Sequence, residues 1–227
     1  IPYDELGRMV LWSGRTEAAI NAIFDDITQR PLDAEHIALL QNSQTQTTSA
    51  NTYRGYGMFI NDKSEGKAVC VKQNIQYFNG SRRPVVFVYS GIGSQWLEMG
   101  RDLMKIPLFS QSIEKCHGIL MNKGIDLKNI LTSADEDTFS NVLHSYIGII
   151  ATEIALTDIL KELNIVPDYI IGHSVGELGC AYADNCLTAQ ETLLAAYARG
   201  EASRESQTIR GAMAAVGLGH EELKEML

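Results

Sequence analysis

The sequence is short of positive charge. Its 227 residues carry 19 lysines and arginines against 28 aspartates and glutamates, a formal net charge of −9 with histidine neutral. That balance lacks the basic footprint that nucleic acid or an anionic membrane surface attracts. Long apolar runs are missing too: none approaches the roughly 20 residues that span a bilayer. The opening stretch, IPYDELGRMV, has neither the basic nor the apolar segment of a signal peptide. Cysteine motifs are absent. Cys70, Cys116, Cys180 and Cys186 form no CxxC and no metal-ligand spacing, which argues against a zinc site. Scattered cysteines of this kind predict buried thiols in a reducing, cytoplasmic compartment. No internal repeat or low-complexity tract interrupts the chain. What is present is ordinary for a folded globular protein: 45% hydrophobic, 21% charged and 7% aromatic residues. The length suits one large domain or two small ones, with a core that needs no staples.

The pattern divides near Arg83. Over residues 1–83, SGRTEAAINAIFDDITQ sets Ala19, Ile20, Ile23, Phe24 and Ile27 at helical spacing, and Pro31 ends that helix. DAEHIALLQN predicts a second, shorter helix and QTQTTSANT a polar loop. Tyr53–Ile60 and Ala68–Phe78 are rich in aromatic and β-branched residues and predict strands. The sum is a small α+β domain. Over 84–208, Val85–Tyr89 is an unbroken apolar run, which predicts a strand buried on both faces. SGIGSQ follows, with a helix expected from about Gln95. FSQSIEKCHGILMNKG predicts a helix stopped by Gly124, and Ile147, Ile150 and Ile154 mark another that continues to Leu163. Asp168–Ile171 predicts a short strand running into GHSVGE and a helix. Thr188 with Glu191 fits a capping box opening the next helix. Strand–turn–helix units in series predict an α/β domain. Over 209–227, AMAAVGL and HEELKEML suggest a strand and a helix of a further element. The missing methionine at the start and the uncapped helical end suggest a piece of something longer.

Gly172-His173-Ser174-Val175-Gly176 is a GxSxG motif placed after a strand and before a helix. Such a turn holds the serine on a strained elbow with its hydroxyl exposed. The flanking glycines leave room, and the helix N-terminus offers N–H groups to a developing oxyanion. The bland alternative is a glycine-rich turn with an unreactive serine. Ser90-Gly91-Ile92-Gly93-Ser94-Gln95 is a second loop at the end of a buried strand, where α/β ligands gather. The Ile92 and Val175 N–H groups could form an oxyanion hole. Neither GxGxxG nor a P-loop lysine is present, so a plain strand–helix turn is the other reading. Arg199, in AAYARGE, could hold a carboxylate bidentately; a lone helical arginine is more often solvated surface. Acyl transfer from serine needs a base. His173 adjoins Ser174, but neighbouring side chains on an elbow point apart. His36, His117 and His220 lie outside any motif, and His144 is a weak candidate.

RPVVFVYSGIGSQWLEMG, DYIIGHSVGELGCAYADNCLTAQETLLAAYARGEA and RGAMAAVGL closely resemble the malonyl/acetyltransferase domain of animal, type I fatty acid synthase. SGRTEAA and YRGY resemble the linker that joins the ketosynthase to that transferase. Bacterial malonyl-CoA:carrier-protein transacylases and polyketide synthase acyltransferases are more distant relatives. The resemblance implies an α/β-hydrolase-like acyltransferase core over 84–208, a linker domain over 1–83 and the start of a ferredoxin-like subdomain over 209–227. It implies that Ser174 is acylated from malonyl-CoA or acetyl-CoA, that Arg199 pairs with the malonyl carboxylate, and that Ile92 and Val175 supply the oxyanion-hole N–H groups. Gly91, Gly93, Gly172, His173 and Gly176 support these motifs. At the Ile92 position bacterial relatives carry glutamine, within PGQGSQ, and the sequence departs as the animal synthases do. The family's catalytic histidine lies further beyond the serine than the 53 residues that follow Ser174 here. The resemblance further implies no bound cofactor or metal and an acyl carrier protein whose phosphopantetheine accepts the acyl group. It also implies an adjacent ketosynthase domain and a homodimeric full-length protein. Two other classes remain: a serine esterase or lipase-like hydrolase, and a non-catalytic scaffold fragment.

Overall fold

The computed structural model describes residues 6–44, 50–62, 64–206 and 216–225. Contacts separate Ile1–Arg83 from Pro84–Leu227, and each unit has a hydrophobic core of its own.

The first unit runs β1 (Arg8–Gly14), α1 (Glu17–Thr28), α2 (Ala34–Ser43), β2 (Tyr53–Asp62) and β3 (Lys67–Tyr77). The strands form an antiparallel sheet in the order β1-β2-β3, with a bulge at Met58/Phe59. The Thr16 hydroxyl accepts the Ala19 N–H at the start of α1, and the Asp33 carboxylate accepts two N–H groups at the start of α2, the polar caps that helix starts require. The apolar stripe of α1 buries Ile20, Phe24 and Ile27 against Val10 and Phe59. Strand β1 was not expected. Met9, Val10, Leu11 and Trp12 are all apolar, which hides the period of two; Val10 is buried while Met9 and Leu11 are exposed.

The second unit comprises β4 (Val86–Tyr89), a 3₁₀ turn (Leu103–Lys105), α3 (Pro107–Met121), α4 (Leu127–Thr132), α5 (Val142–Glu162), β5 (Tyr169–Gly172), α6 (Gly176–Ala183), α7 (Ala189–Glu205) and α8 (His220–Lys224). It is a mixed α/β unit. Helix α5 is its centre, packed by α3, α4, α6 and α7. Ile147, Ile150 and Ile154 are buried there among Phe109, Ile113 and Leu193. By length and hydropathy alone α5 could cross a membrane, but 61% of its apolar window lies inside this packing. The Thr188–Glu191 capping box forms in both directions.

Strands β4 and β5 pair in parallel, with Tyr89 opposite Gly172. The expectation that β4 is buried on both faces is overturned. Phe87 and Tyr89 are buried, but Val88 is 69% exposed and Val86 45%. Their neighbours Tyr169 and Ile171 on β5 are exposed as well, so among the described residues one face of the pair is uncovered. The helix expected from Gln95 does not form either. Glu98 adopts a left-handed φ of 60°. The N–H groups of Glu98 and Gly100 donate to the carbonyls of Ser133 and Leu131 at the end of α4 (3.1 and 2.8 Å). Satisfying those terminal carbonyls takes the donors a helix would have used. The strand expected over AMAAVGL falls largely outside the described residues. Of residues 209–227, only the segment holding α8 is described.

Candidate active site

The site grows from the end of the parallel pair. The His173 N–H donates to the Tyr89 carbonyl (3.0 Å), extending the β4–β5 ladder by one residue. The chain then reverses. Ser174 adopts φ = +57°, a left-handed conformation that costs a non-glycine residue about 1–3 kcal/mol. The Gly176 N–H closes the turn on the His173 carbonyl (3.0 Å), and the Glu177 N–H donates to the Ser174 carbonyl (3.2 Å). Helix α6 starts there. Ser174 is half-buried and Val175 fully buried. This is a sharp strand-to-helix elbow with a serine at its apex.

Two glycines let the elbow sit against β4. A Cβ on Gly176 would stand 2.4 Å from the Tyr89 carbonyl oxygen and 2.6 Å from that of Ser90. A Cβ on Gly91 would stand 2.7 Å from the His173 carbonyl oxygen and 2.9 Å from the Ser174 Cβ. The loop after β4 is therefore pressed onto the serine. Its shape is held from within. The Gly91 carbonyl accepts both the N–H and the hydroxyl of Ser94 (3.2 and 2.8 Å), and Gln95 Oε1 accepts the Gly93 N–H (2.8 Å). Gly93 takes φ = +103°, which only glycine adopts readily. The fold thus brings Gly91, Ile92 and Gly93 to the same sheet end as Gly172, His173, Ser174, Val175 and Gly176. The Ile92 side chain is 44% exposed.

Arg199 lies on α7, which packs on α5 and α6. It is exposed, its guanidinium 5.8 Å above the Tyr146 ring. Among the described residues it has no carboxylate partner and no hydrogen bond to the elbow. No histidine hydrogen-bonds Ser174 among the described residues. His144 Nδ1 is joined to the Thr138 carbonyl (2.7 Å), and His117 Nδ1 faces Asp126 at 3.7 Å. His173 is exposed. No group of His, Cys, Asp and Glu that could hold a metal is found among the described residues.

Sequence reasoning passed over Glu153. It sits on α5 beneath the elbow, and burial pushes its carboxyl up to about 8. Neither carboxyl oxygen has a partner within hydrogen-bond geometry; the Ser90 N–H faces it and pulls the other way, less than burial pushes. The available signal was a single acid within the apolar run IGIIATEIAL. Beside it, the Tyr89 hydroxyl donates to Thr157 Oγ1 (2.7 Å), whose own proton goes to the Glu153 carbonyl (2.7 Å). One turn on, Asp158 accepts the Ser112 and Tyr182 hydroxyls.

Residues 86–227 match the sequence model of the acyl transferase domain. The chain belongs to the acyl transferase domain family. It is 31% identical over 231 residues to srdA, a highly reducing polyketide synthase of Neurospora crassa, a match covering 95% of the chain and 9% of the relative. The chain spans only 6–9% of the length of the curated relatives it matches. Among solved structures, the acyl transferase domain of SpnD, in complex with 2-(pent-4-yn-1-yl)malonyl, aligns with a TM-score of 0.64 and 20% identity over 87% of this chain and 48% of that one. PlMCAT, a malonyl-transacylase in complex with the type II polyketide synthase acyl-carrier protein AntF, aligns with a TM-score of 0.50 and 22% identity over 54% of this chain and 40% of that one. At these identities the structures show a shared fold. This acyl transferase domain therefore has relatives that are polyketide synthases, and a fatty acid synthase is a narrower assignment than the family.

Proposed function

We propose that Ser174 is the acyl-accepting nucleophile of a malonyl/acetyl transferase that moves acyl groups from coenzyme A to an acyl carrier protein. The observation that carries this is the strained Ser174 at the end of a parallel strand, with the Gly91 loop pressed against it. In the first half-reaction Ser174 Oγ attacks the thioester carbonyl carbon and its proton passes to a base. The tetrahedral oxyanion takes hydrogen bonds from the Ile92 and Val175 N–H groups, and collapse expels the coenzyme A thiolate, which recovers the proton. In the second, the phosphopantetheine thiol of the carrier protein attacks the acyl-serine, and Ser174 leaves with the proton. The base is assigned to a histidine, the side chain that most often moves a proton at such a hydroxyl. A carrier-protein acceptor is supported by the malonyl-transacylase fold relative, which was solved with its own carrier protein.

Arg199 is assigned to the malonyl carboxylate. An exposed guanidinium without an acid partner among the described residues can take one from a substrate, and a hydrolase of apolar esters has no use for it. Residues 1–83 are assigned to the linker that follows a ketosynthase domain, which their separate core supports. The finer assignment is to a fatty acid synthase of the animal type, homodimeric and cytoplasmic. Ile92 in SGIGSQ supports the synthase type, and four unpaired cysteines support a reducing compartment.

The test uses the full-length protein incubated with malonyl-CoA and read by intact or peptide mass spectrometry. A malonyl adduct on Ser174, absent from Ser174→Ala, is expected. An adduct that survives the substitution sinks the assignment. Release of a saturated acyl chain by the same protein, rather than a polyketide, supports the fatty acid synthase type.

A further inference from the structure

We propose that Glu153, in its neutral form, is a positioning residue that holds the Tyr89–Ser90 end of β4 against α6 and so keeps the Gly91–Ile92 loop seated on Ser174. This rests on the reading of Ser174 given above. Three elements meet at the carboxyl group. A Cβ on Gly179 of α6 would stand 2.5 Å from Glu153 Oε2 and 2.5 Å from Tyr89 Cδ1. The glycine therefore makes room for a carboxyl that lies against the Tyr89 ring. Ser90, the first residue of the loop, turns its N–H toward the same group, and the Ser90 carbonyl abuts Gly176 in the elbow. Both carboxyl oxygens are shut off from solvent without a donor in hydrogen-bond geometry, a placement that a charged carboxylate does not tolerate and a neutral acid does.

Among the described residues no cation offsets the burial. The titratable neighbours are Tyr89 from β4 and Cys180 from α6, each itself pushed up by burial with Glu153 adding to the effect, and Glu177 of α6 acts on Cys180 in turn. On α5, Asp158 is taken up by Ser112 and Tyr182, while Cys116 of α3 lies beside Asp158. From α7, Arg199 lies over Tyr146, two turns away from Glu153. Loss of the Glu153 proton therefore leaves a bare carboxylate behind the elbow. It draws toward the Ser90 N–H and admits water between β4 and α6, which lifts the loop off the serine.

The experiment measures the rate of Ser174 acylation by malonyl-CoA from pH 6 to 9.5 in the full-length protein, for wild type, Glu153→Gln and Glu153→Leu. The wild-type rate is expected to fall above pH 8 by about tenfold per unit once ionisation is complete. Glu153→Gln, neutral at every pH, is expected to lose that fall. Glu153→Leu, which removes the carboxyl group that the Ser90 N–H faces, is expected to be slow throughout. Parallel profiles for wild type and Glu153→Gln overturn the proposal, and so does a wild type with no alkaline fall, even if neither variant folds. Thermal melting supplies a readout independent of acylation. A group protonated in the fold and ionised in the unfolded chain costs stability as pH rises from its unfolded value, 4.5, to its folded value, about 8. The wild-type Tm is therefore expected to drop relative to Glu153→Gln between pH 5 and 8 and to hold a constant offset above. A constant offset across the whole range overturns the buried neutral acid, whatever becomes of Ser174.

Discussion

Ser174 and Arg199 differ in how much of their chemistry local structure supplies. At Ser174 the backbone makes the site: a left-handed φ at the end of β5 turns the serine into the β4 loop, and the motif that demands this is visible in five letters. Arg199 is different, because its helix would form around any residue. Among the described residues its guanidinium has no acid partner, which sets it apart from Arg204 in the last turn of α7, which pairs with Glu201. Arg199→Ala is expected to slow malonyl transfer by roughly tenfold to a hundredfold, the worth of a charge-assisted hydrogen bond of about 1.5–3 kcal/mol. Acetyl transfer, with no carboxylate to hold, is expected to change little. Parallel kinetics with the two thioesters check this, and equal losses remove Arg199 from the substrate site. Glu153 was legible only as an oddity, an acid in an apolar helix. That its face meets Gly179 and Ser90 depends on three elements far apart in sequence.

Between elements, α6 lies close against the end of β4. The Gly176→Ala methyl group would land 2.4 and 2.6 Å from two backbone carbonyl oxygens, and backbone cannot swing aside as a flexible side chain can. A destabilisation of roughly 1–3 kcal/mol, typical of overpacking, is expected, with Ser174 acylation falling as the elbow separates from the Gly91 loop. Calorimetry together with the adduct assay checks both; unchanged melting shows that the junction yields. Helices with clear stripes or caps, such as α1, α5 and α7, were readable from periodicity and from Thr188–Glu191. The absent helix at Gln95 was not. Its donors go to α4 carbonyls more than thirty positions away, and no window of sequence contains both partners.

At the scale of the whole molecule, the chain consists of two units with separate cores, joined through an exposed stretch around Ser81–Pro84. Trypsin acts after arginine but not before proline, so Arg83–Pro84 resists it and Arg82–Arg83 is the bond on offer. Limited digestion of the native chain is expected to yield a fragment beginning at Arg83 that keeps its helical circular dichroism. Persistence of the intact chain under those conditions contradicts an accessible junction. The change of pattern at Arg83 was readable because it coincides with a shift from amphipathic segments to continuous apolar ones. The burial of β4 was misread for the same reason. An unbroken run says that both faces are apolar, not that something covers them.

Local rules set the elbow motif, the glycines that permit it and the principal helices, because each depends on residues within a turn or two of one another. The tertiary structure alone decided which loop touches Ser174, which acid lies buried behind it, and which helix fails to form. Those outcomes follow from hydrogen bonds and excluded volume between segments distant in the chain, and sequence spacing carries no record of them.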